Sequence, residues 1–133
     1  MLLNELVGIA NQFFLGANQE STMLALRVQD SSLLTAVSCG DSPLYLVREG
    51  RVEQMNETTK PRLGTLQPGI KHLAFPLRTS DVIIGASDGL SVGSHQLLSA
   101  VERTMLQPES MPEVILRAQR DSFDDVTLVC RVI

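Results

Sequence analysis

Aromatic residues and positive charge are both scarce in this chain of 133 residues. It has no Trp, one Tyr and four Phe, so its core must be built from Leu, Val, Ile and Ala. The 11 Lys and Arg are outnumbered by 15 Asp and Glu, which gives a net charge of -4. Binding nucleic acid without regard to sequence requires a basic face, so nucleic acid is not an expected partner. The acidic surplus suits a protein that holds cations.

No stretch of the sequence has the pattern of a membrane segment or an export signal. Asn4, Glu5 and Asn11 interrupt the apolar residues near the N-terminus, and no basic residues precede them, unlike a signal peptide or a transmembrane span. Cys39 and Cys130 lie in apolar, strand-like stretches, outside any Cys-x-x-Cys or Cys/His cluster. Such cysteines are typical of free thiols in a reducing compartment. We therefore predict a cytoplasmic protein without a membrane partner.

Hydrophobic periodicity predicts an α+β fold in a single domain, residues 1–133. Hydrophobic residues make up 44% and charged residues 20% of the chain, which suffices for one core. The predicted order is a helix at 2–15, strands at 23–28, 33–39, 44–48, 51–55, 73–77 and 82–87, helices opening at Ser94 and Ser110, and a strand at 126–133. Because strands and helices come in blocks, mostly antiparallel sheets with flanking helices are expected.

Helix ends, the last strand and one long loop carry more specific predictions. Ser94 is expected to cap its helix with its side chain, and Ser110 to form a capping box with Glu113. The nearly continuous apolar run at 126–133 predicts a strand that is buried on both faces or lies at the centre of a sandwich. Residues 56–71 are polar and hold Pro and Gly, so they are expected to form a long loop, of a length that usually serves function.

Three acidic positions share one setting, beside an apolar strand and next to a turn. They are Asp41, Asp88, and Asp124 with its neighbour Asp125. Aspartate is common in turns because its side chain bonds the local backbone, so each one alone is a weak sign of a site. Carboxylates gathered together repel, and a hard cation relieves the repulsion. Mg²⁺ and Mn²⁺ prefer oxygen ligands and keep several waters, so two or three carboxylates suffice.

Four motifs, in order, resemble those of the metal-dependent protein phosphatases of the 2C class. Residues 36–42 and 44–50 (AVSCGDS and LYLVREG) are similar to that family's GDS strand and hairpin. Residues 62–64 (RLG) resemble the loop element that follows, and residues 81–90 (DVIIGASDGL) its SDGL strand end. Residues 124–129 (DDVTLV) resemble the closing strand. Their Asp-Asp, where most members have Asp-Asn, is similar to the bacterial branch that controls sporulation and stress responses.

The resemblance implies a partial α-β-β-α sandwich and a site for Mn²⁺ or Mg²⁺. Asp88 and Asp124 match two carboxylates that bind the family's catalytic metal pair, and Asp41 matches a ligand of an additional metal in some members. Gly89 matches the tight-turn residue beside Asp88, and Asp125 stands next to the metal in place of the usual Asn. The implied activity is hydrolysis of phosphoserine or phosphothreonine on a protein by a metal-activated water.

The family's first half has no counterpart in this sequence. Its phosphate-binding Arg, an acidic ligand and a DGxGG segment are missing, so an N-terminally truncated domain is expected. No residue is therefore assigned a catalytic role with certainty. Arg62, in the flap-like loop 56–71, is a candidate for contact with phosphate. Missing strands would leave open sheet edges, through which copies of the chain could form a homo-oligomer.

Two functions fit these patterns, and a third reading is open. The chain could be a weak or inactive part of a phosphatase that acts on a phosphoprotein, with its missing ligands supplied from elsewhere. Alternatively, it could be a non-catalytic pseudophosphatase or interaction module that binds a phosphoprotein or a regulatory protein. The third reading is an unrelated α+β domain in which the motifs occur by chance.

Overall fold

The computed structural model describes residues 2–119 and 125–133. In chain order its elements are α1 (Leu3–Gly16), β1 (Met23–Gln29), β2 (Leu33–Cys39), β3 (Leu44–Arg48), β4 (Arg51–Gln54), β5 (Ile70–Pro76), β6 (Val82–Ala86), α2 (Ser94–Thr104), α3 (Met111–Arg117) and β7 (Leu128–Val132). They form two compact units, Met1–Ser42 with Asn56–Arg78 and Pro43–Met55 with Thr79–Ile133. That these units make one domain stays a prediction. In the described ranges, no helix is both long and apolar enough to cross a membrane.

The first unit is a three-stranded antiparallel sheet with α1 packed on it. The strand order is β1-β2-β5, and Cys39 of the middle strand pairs with Met23 on one side and Ile70 on the other. Apolar residues at three- and four-residue spacing give α1 one apolar face. Val7 on this face is 2% exposed and packs with Val37 and Cys39. This packing anchors the strand that ends just before Asp41.

The second unit is a four-stranded antiparallel sheet, in the order β4-β3-β6-β7, with α2 and α3 packed on it. The β3–β4 hairpin turns through Glu49 and Gly50, whose φ angles of 50° and 74° are those of a type I′ turn. Strand β6 is buried along its whole length. The core of the unit consists of Val47, Val82, Ile84, Leu97, Ala100, Val101, Met111 and Ile115. This core fixes the strand that leads to Asp88.

A buried ion pair joins β3 to the start of β6. Asp81 is 1% exposed and accepts hydrogen bonds from Arg48 Nε at 2.9 Å and Nη2 at 2.6 Å. Because Val47 pairs with Val82, this contact extends the strand ladder by one position. Two parallel hydrogen bonds make it the strong form of an arginine–carboxylate contact. The hydrogen bond from Asp81 raises the pKa of Arg48 above its ordinary value.

The predicted helices and strands are confirmed as elements, and Ser110 is the N-cap of α3, but neither predicted side-chain cap forms. Ser94 is the first residue of α2, and the N-cap is Gly93. Ser110 precedes α3 but makes no side-chain capping hydrogen bond. Its hydroxyl donates to the carbonyl of Gln107 at 2.8 Å instead, within a short 3₁₀ turn at Pro108–Ser110. The Ser110 hydroxyl thus bonds within the local turn, and it does not form the hydrogen bond that a capping box requires.

The predicted burial of the last strand is also wrong. Among the described strands, β7 lies at the edge of its sheet and is not buried on both faces. Leu128, Cys130 and Val132 pack on the core, whereas Val129 on the opposite face is 61% exposed. An apolar run alone cannot distinguish a central strand from an edge strand with one uncovered face. Strand β5 also begins at Ile70, inside the predicted loop.

Candidate metal centre

Asp41 lies in the turn between β2 and β3, and the residue before it must be glycine. Gly40 has a φ of 98°, and a Cβ there would lie 2.5 Å from Cγ2 of Thr22. Only glycine accommodates both the positive φ and the close approach. The Gly40 N–H donates to Thr59 Oγ1 at 2.9 Å, and the Gly40 carbonyl accepts from the Thr59 N–H at 3.0 Å. These two bonds hold the backbone that presents Asp41.

A buried amide side chain bridges the two sides of the same turn. Asn56 is 6% exposed, and its Nδ2 donates to Ser38 Oγ at 3.0 Å and to the Ser42 carbonyl at 2.8 Å. Ser38 precedes the turn and Ser42 follows it, so one side chain sets their separation. This role of Asn56 was not predicted, because an Asn at the start of a polar loop carries no distinguishing signal.

The Asp41 carboxylate is only partly satisfied by the surrounding protein. Its Oδ2 lies 3.4 Å from Nη2 of Arg62, a long contact between partly exposed side chains. Its Oδ1 is buried and has no hydrogen-bond partner among the described residues. A buried carboxylate oxygen without a donor is costly, and a cation would satisfy it. Arg62, predicted to contact phosphate, thus lies beside Asp41, and its contact with phosphate stays a prediction.

The loop 56–71 is fixed to the first unit at several points. Leu63 is fully buried and forms an isolated bridge with Ser21. The Gly64 N–H donates to Asn11 Oδ1 at 2.7 Å, and Asn11 Nδ2 donates back to the loop backbone at 3.1 Å. These contacts place Arg62 at a defined point of the loop. The loop was expected from its composition, but its anchor at Asn11 was not.

The thiol next to this turn does not offer a cysteine nucleophile. Cys39 and Cys130 are both free, as predicted. Burial raises the pKa of Cys39, with a smaller opposing effect from its hydrogen bond with Thr59. The thiol therefore stays protonated at neutral pH, and a protonated thiol is a poor nucleophile.

Asp88 and Gly89 form a turn directly after β6, in the second unit. Asp88 is exposed and Gly89 is buried, and the Leu90 N–H closes the turn by donating to the Ser87 carbonyl at 3.3 Å. The end of a fully buried strand thus delivers a carboxylate to the surface. This is the position that the sequence predicted for Asp88 and for its tight-turn neighbour.

A pair of reciprocal hydrogen bonds extends the β6–β7 ladder toward the acidic positions. The Ser87 N–H donates to the Thr127 carbonyl at 2.9 Å, and the Thr127 N–H donates to Ser87 Oγ at 2.9 Å. The chain that enters β7 is therefore held beside the residue before Asp88. Asp125, two residues upstream of Thr127, is exposed. Asp124 lies outside the described residues.

Gln119, which was also not predicted, contacts the Asp88 turn with its side chain at two points. Its Nε2 donates to the Gly89 carbonyl at 2.6 Å, and its Oε1 accepts from the Ser91 N–H at 2.9 Å. No sequence signal marks a Gln at the end of a helix for such a role. Its importance follows only from the approach of the end of α3 to this turn.

Two described acidic residues, one in each unit, each suit a hard divalent cation, although neither completes a site by itself. Asp41 offers a buried oxygen without a donor, and Asp88 offers an exposed carboxylate to which no described residue is hydrogen-bonded. Both are oxygen donors of the kind that Mn²⁺ and Mg²⁺ prefer. In residues 2–119 and 125–133, no three His, Cys, Asp or Glu side chains converge on one point. A complete site would need further ligands, for which Asp124 is the candidate.

Solved structures show that the fold is that of the metal-dependent serine/threonine protein phosphatases. PppA of Pseudomonas aeruginosa, described as a key regulatory component of the T6SS, is 18% identical with a TM-score of 0.75, over 96% of this chain and 67% of its own. The serine/threonine phosphatase of S. agalactiae is 14% identical with a TM-score of 0.78, over 97% and 71%. The catalytic domain of PstP, solved with two manganese ions, is 23% identical with a TM-score of 0.66, over 96% and 66%. The chain thus spans about two thirds of each of these structures.

The family follows from the sequence. The chain belongs to the Stage II sporulation protein E (SpoIIE) family, whose model matches residues 3–131. No curated protein is similar enough in sequence to count as a relative. The predicted resemblance and the α+β fold are confirmed, and the reading as an unrelated domain with chance motifs is wrong.

Proposed function

We propose that this chain is the C-terminal, metal-binding part of a serine/threonine protein phosphatase domain that uses Mn²⁺ or Mg²⁺. The observation that carries the proposal is the pair of hydrogen bonds between Ser87 and Thr127. They hold the strand end that bears Asp88 against the chain that follows Asp124 and Asp125. The substrate class is a protein carrying phosphoserine or phosphothreonine.

Asp88 and Asp124 would hold the catalytic metal, and Asp41 an additional ion. When bound, the metal would lower the pKa of a water, which could then serve as a nucleophile toward a phosphate ester at neutral pH. The protein contributes the Asp88 carboxylate at the end of a buried strand, so little rearrangement of that turn is needed when the ion binds. The free oxygen of Asp41, which no described donor reaches, supports a cation at that carboxylate.

We expect the isolated chain to hydrolyse phosphate esters weakly or not at all. Two or three carboxylates can bind one ion that keeps its own waters, but a metal pair needs ligands that this sequence does not provide. The alternative is a non-catalytic module that binds a phosphoprotein or a regulatory protein. The contact between Arg62 and Asp41 supports this alternative, because an arginine already neutralises part of one candidate ligand.

Hydrolysis of p-nitrophenyl phosphate with added Mn²⁺ tests the enzymatic proposal. Asp88→Asn and Asp124→Asn keep the side-chain shape but remove the charge, so each should abolish any activity of the unmodified chain. Asp30→Asn is the matched control, because Asp30 is exposed in the β1–β2 turn and its positive φ suits Asn equally. Activity of Asp88→Asn equal to that of the Asp30→Asn control would end the enzymatic proposal.

Calorimetric titration with Mn²⁺ separates the two functions when activity is low. Two tight sites would contradict the non-catalytic alternative. One weak site, with a dissociation constant of about a millimolar, would support it, since few charged ligands and a flexible site weaken binding of hard cations. Loss of this site in Asp88→Asn would assign it to the Asp88 turn.

We also propose that exposed apolar surface on the chain lets copies associate. Leu2, directly before α1, and Ile9 on α1 are each 57% exposed, and Phe13 on α1 is 68% exposed. Val129 on the edge strand β7 is 61% exposed. Apolar side chains and an open strand edge are the usual elements of a protein contact. Sedimentation velocity over a hundredfold concentration range tests it, and a constant monomer mass would refute it.

A further inference from the structure

We propose that Gln119 is a positioning residue, one that fixes the conformation of the Asp88 turn for metal binding. This inference rests on the proposed function. Gln119 Nε2 donates to the Gly89 carbonyl at 2.6 Å, and Gln119 Oε1 accepts from the Ser91 N–H at 2.9 Å. One planar amide therefore ties together two backbone groups on the C-terminal side of Asp88.

The chemistry of this contact requires glutamine. The amide carries a donor and an acceptor at a fixed separation, so the Gly89 carbonyl and the Ser91 N–H are held at a matching separation. Glutamate could accept from Ser91 but could not donate to Gly89 when ionised. Asparagine is one methylene shorter, and methionine has the length but neither strong polar group.

Gln119 is itself held by the end of α3. Its N–H donates to the Leu116 carbonyl at 3.1 Å, and the preceding Ala118 N–H donates to the Ile115 carbonyl at 3.0 Å. Ile115 is fully buried in the core of the second unit. The amide therefore extends from a fixed base, and its position restrains the turn.

The other side of the same turn is held independently. Ser87, directly before Asp88, is bonded to Thr127 through two hydrogen bonds of 2.9 Å. Asp88 thus lies between a segment fixed by β7 and a segment fixed by Gln119. Both polar groups of Gln119 are used by the backbone, so it acts on the metal through the turn and is not itself a ligand.

The test is a titration of the whole chain with Mg²⁺ alone, in which the amide chemical shifts of Gly89 and Leu90 are monitored. In Gln119→Met the dissociation constant for Mg²⁺ should rise about tenfold, the usual loss when a residue that orients a ligand is removed. Gln107→Met is the matched control, because Gln107 is exposed in the same unit and no side-chain hydrogen bond is described for it. Its dissociation constant should equal that of the unmodified chain.

Two further measurements separate positioning from general destabilisation. Hydrogen exchange of the Ser91 amide should be faster in Gln119→Met, while the thermal midpoint stays close to that of Gln107→Met. Should Gln119→Met fail to fold, Gln119→Asn carries the same test. Asparagine keeps both polar groups of the amide, but its shorter side chain cannot reach the Gly89 carbonyl and the Ser91 N–H. It should bind Mg²⁺ as weakly as expected for Gln119→Met.

The outcomes distinguish this inference from the proposed function. One outcome is that the unmodified chain shows Mg²⁺-dependent shifts while Gln119→Met has a dissociation constant within twofold of that of the unmodified chain. This result would overturn the positioning role and leave the metal site standing. No Mg²⁺-dependent shift at Gly89 and Leu90 in the unmodified chain would overturn the metal site and the positioning role together. A tenfold loss confined to the Gln119 variants supports both.

Discussion

Replacing Arg48 by Met should destabilise the fold far more than removing an exposed arginine. The Asp81 side chain is 2% exposed and that of Arg48 is 24% exposed. Arg48→Met therefore leaves a carboxylate without its cation where almost no water reaches it. Breaking a buried ion pair at one partner costs about 3–5 kcal/mol. We expect Arg48→Met to fall in this range.

The reverse change should cost less, because the group left behind differs. Asp81→Asn leaves an arginine that already reaches solvent, and it keeps an oxygen that can accept one hydrogen bond. The expected loss is about 1–3 kcal/mol, the range for a hydrogen bond to a charged group. The order of the two losses therefore depends on the burial of Asp81. A double mutant with both changes would measure the coupling energy between the Arg48 and Asp81 side chains.

The matched control is the exposed pair of Arg117 and Glu113 on α3. Its N–O distance is 2.7 Å, nearly that of the buried pair, but the two side chains are 73% and 68% exposed. Arg117→Met should cost at most about 0.5 kcal/mol, as for other exposed pairs at this helical spacing. Since the shortest distances are almost equal, the two expectations differ because of burial and because Arg48 also donates from Nε.

Urea unfolding followed by circular dichroism, at pH 7 and pH 5, measures these free energies. The loss in Arg48→Met should be smaller at pH 5, because a buried carboxylate that has lost a positive neighbour becomes easier to protonate and its neutral form costs less to bury. A loss in Arg48→Met no larger than that in Arg117→Met would refute the reasoning. So would a loss that grows as the pH falls.

Three other predictions concern a thiol, a glycine and the edge strand. Burial raises the pKa of the Cys130 thiol from 9.0 to about 11. The contribution of the protonated thiol to the free energy of unfolding is therefore complete below pH 9 and is lost as the pH rises through about 11. Urea unfolding of Cys130→Ala should lack that part of the pH dependence. Gly64→Ala should cost about 3 kcal/mol or more in thermal unfolding, because Gly64 has a φ of 92° and a Cβ would overlap the Gln19 carbonyl oxygen, whereas Gly50→Ala, at a φ of 74° with open space around it, should cost about 1–2 kcal/mol; equal losses would contradict the steric argument. Val129→Lys should weaken self-association in sedimentation experiments without lowering the thermal midpoint, and unchanged association would place the contact elsewhere.

Local patterns in the sequence predicted the elements well, because periodicity and turn chemistry act over a few residues. The hairpin at Glu49 and Gly50 and the strand that ends before Asp88 lie where their residues predict. The failures have a local cause too. Ser94 has the composition of a cap, but its neighbour Gly93 is the N-cap of α2. Ser110 is the N-cap of α3, but its hydroxyl bonds the carbonyl of Gln107 within a 3₁₀ turn and does not cap the helix.

Part of the candidate site could be foreseen and part could not. Asp41 and Asp88 were recognised because motifs of a family surround them, and Asp124 remains a prediction on the same ground. Asn56 contacts the turn that holds Asp41, and Gln119 contacts the turn that holds Asp88. Neither residue belongs to a motif. Each lies far along the chain from the turn it holds, so no local pattern marks it.

The sequence alone determined the periodic elements, the scarcity of aromatic core residues and the family, because each depends on residue types and short spacings. Tertiary structure decided which polar groups meet: the Arg48–Asp81 pair, the Ser87–Thr127 bonds and the unpaired oxygen of Asp41. It also placed β7 at the edge of the described sheet, with one face uncovered. Such contacts depend on how distant segments pack, and packing is a property of the whole fold that no short stretch of residues specifies.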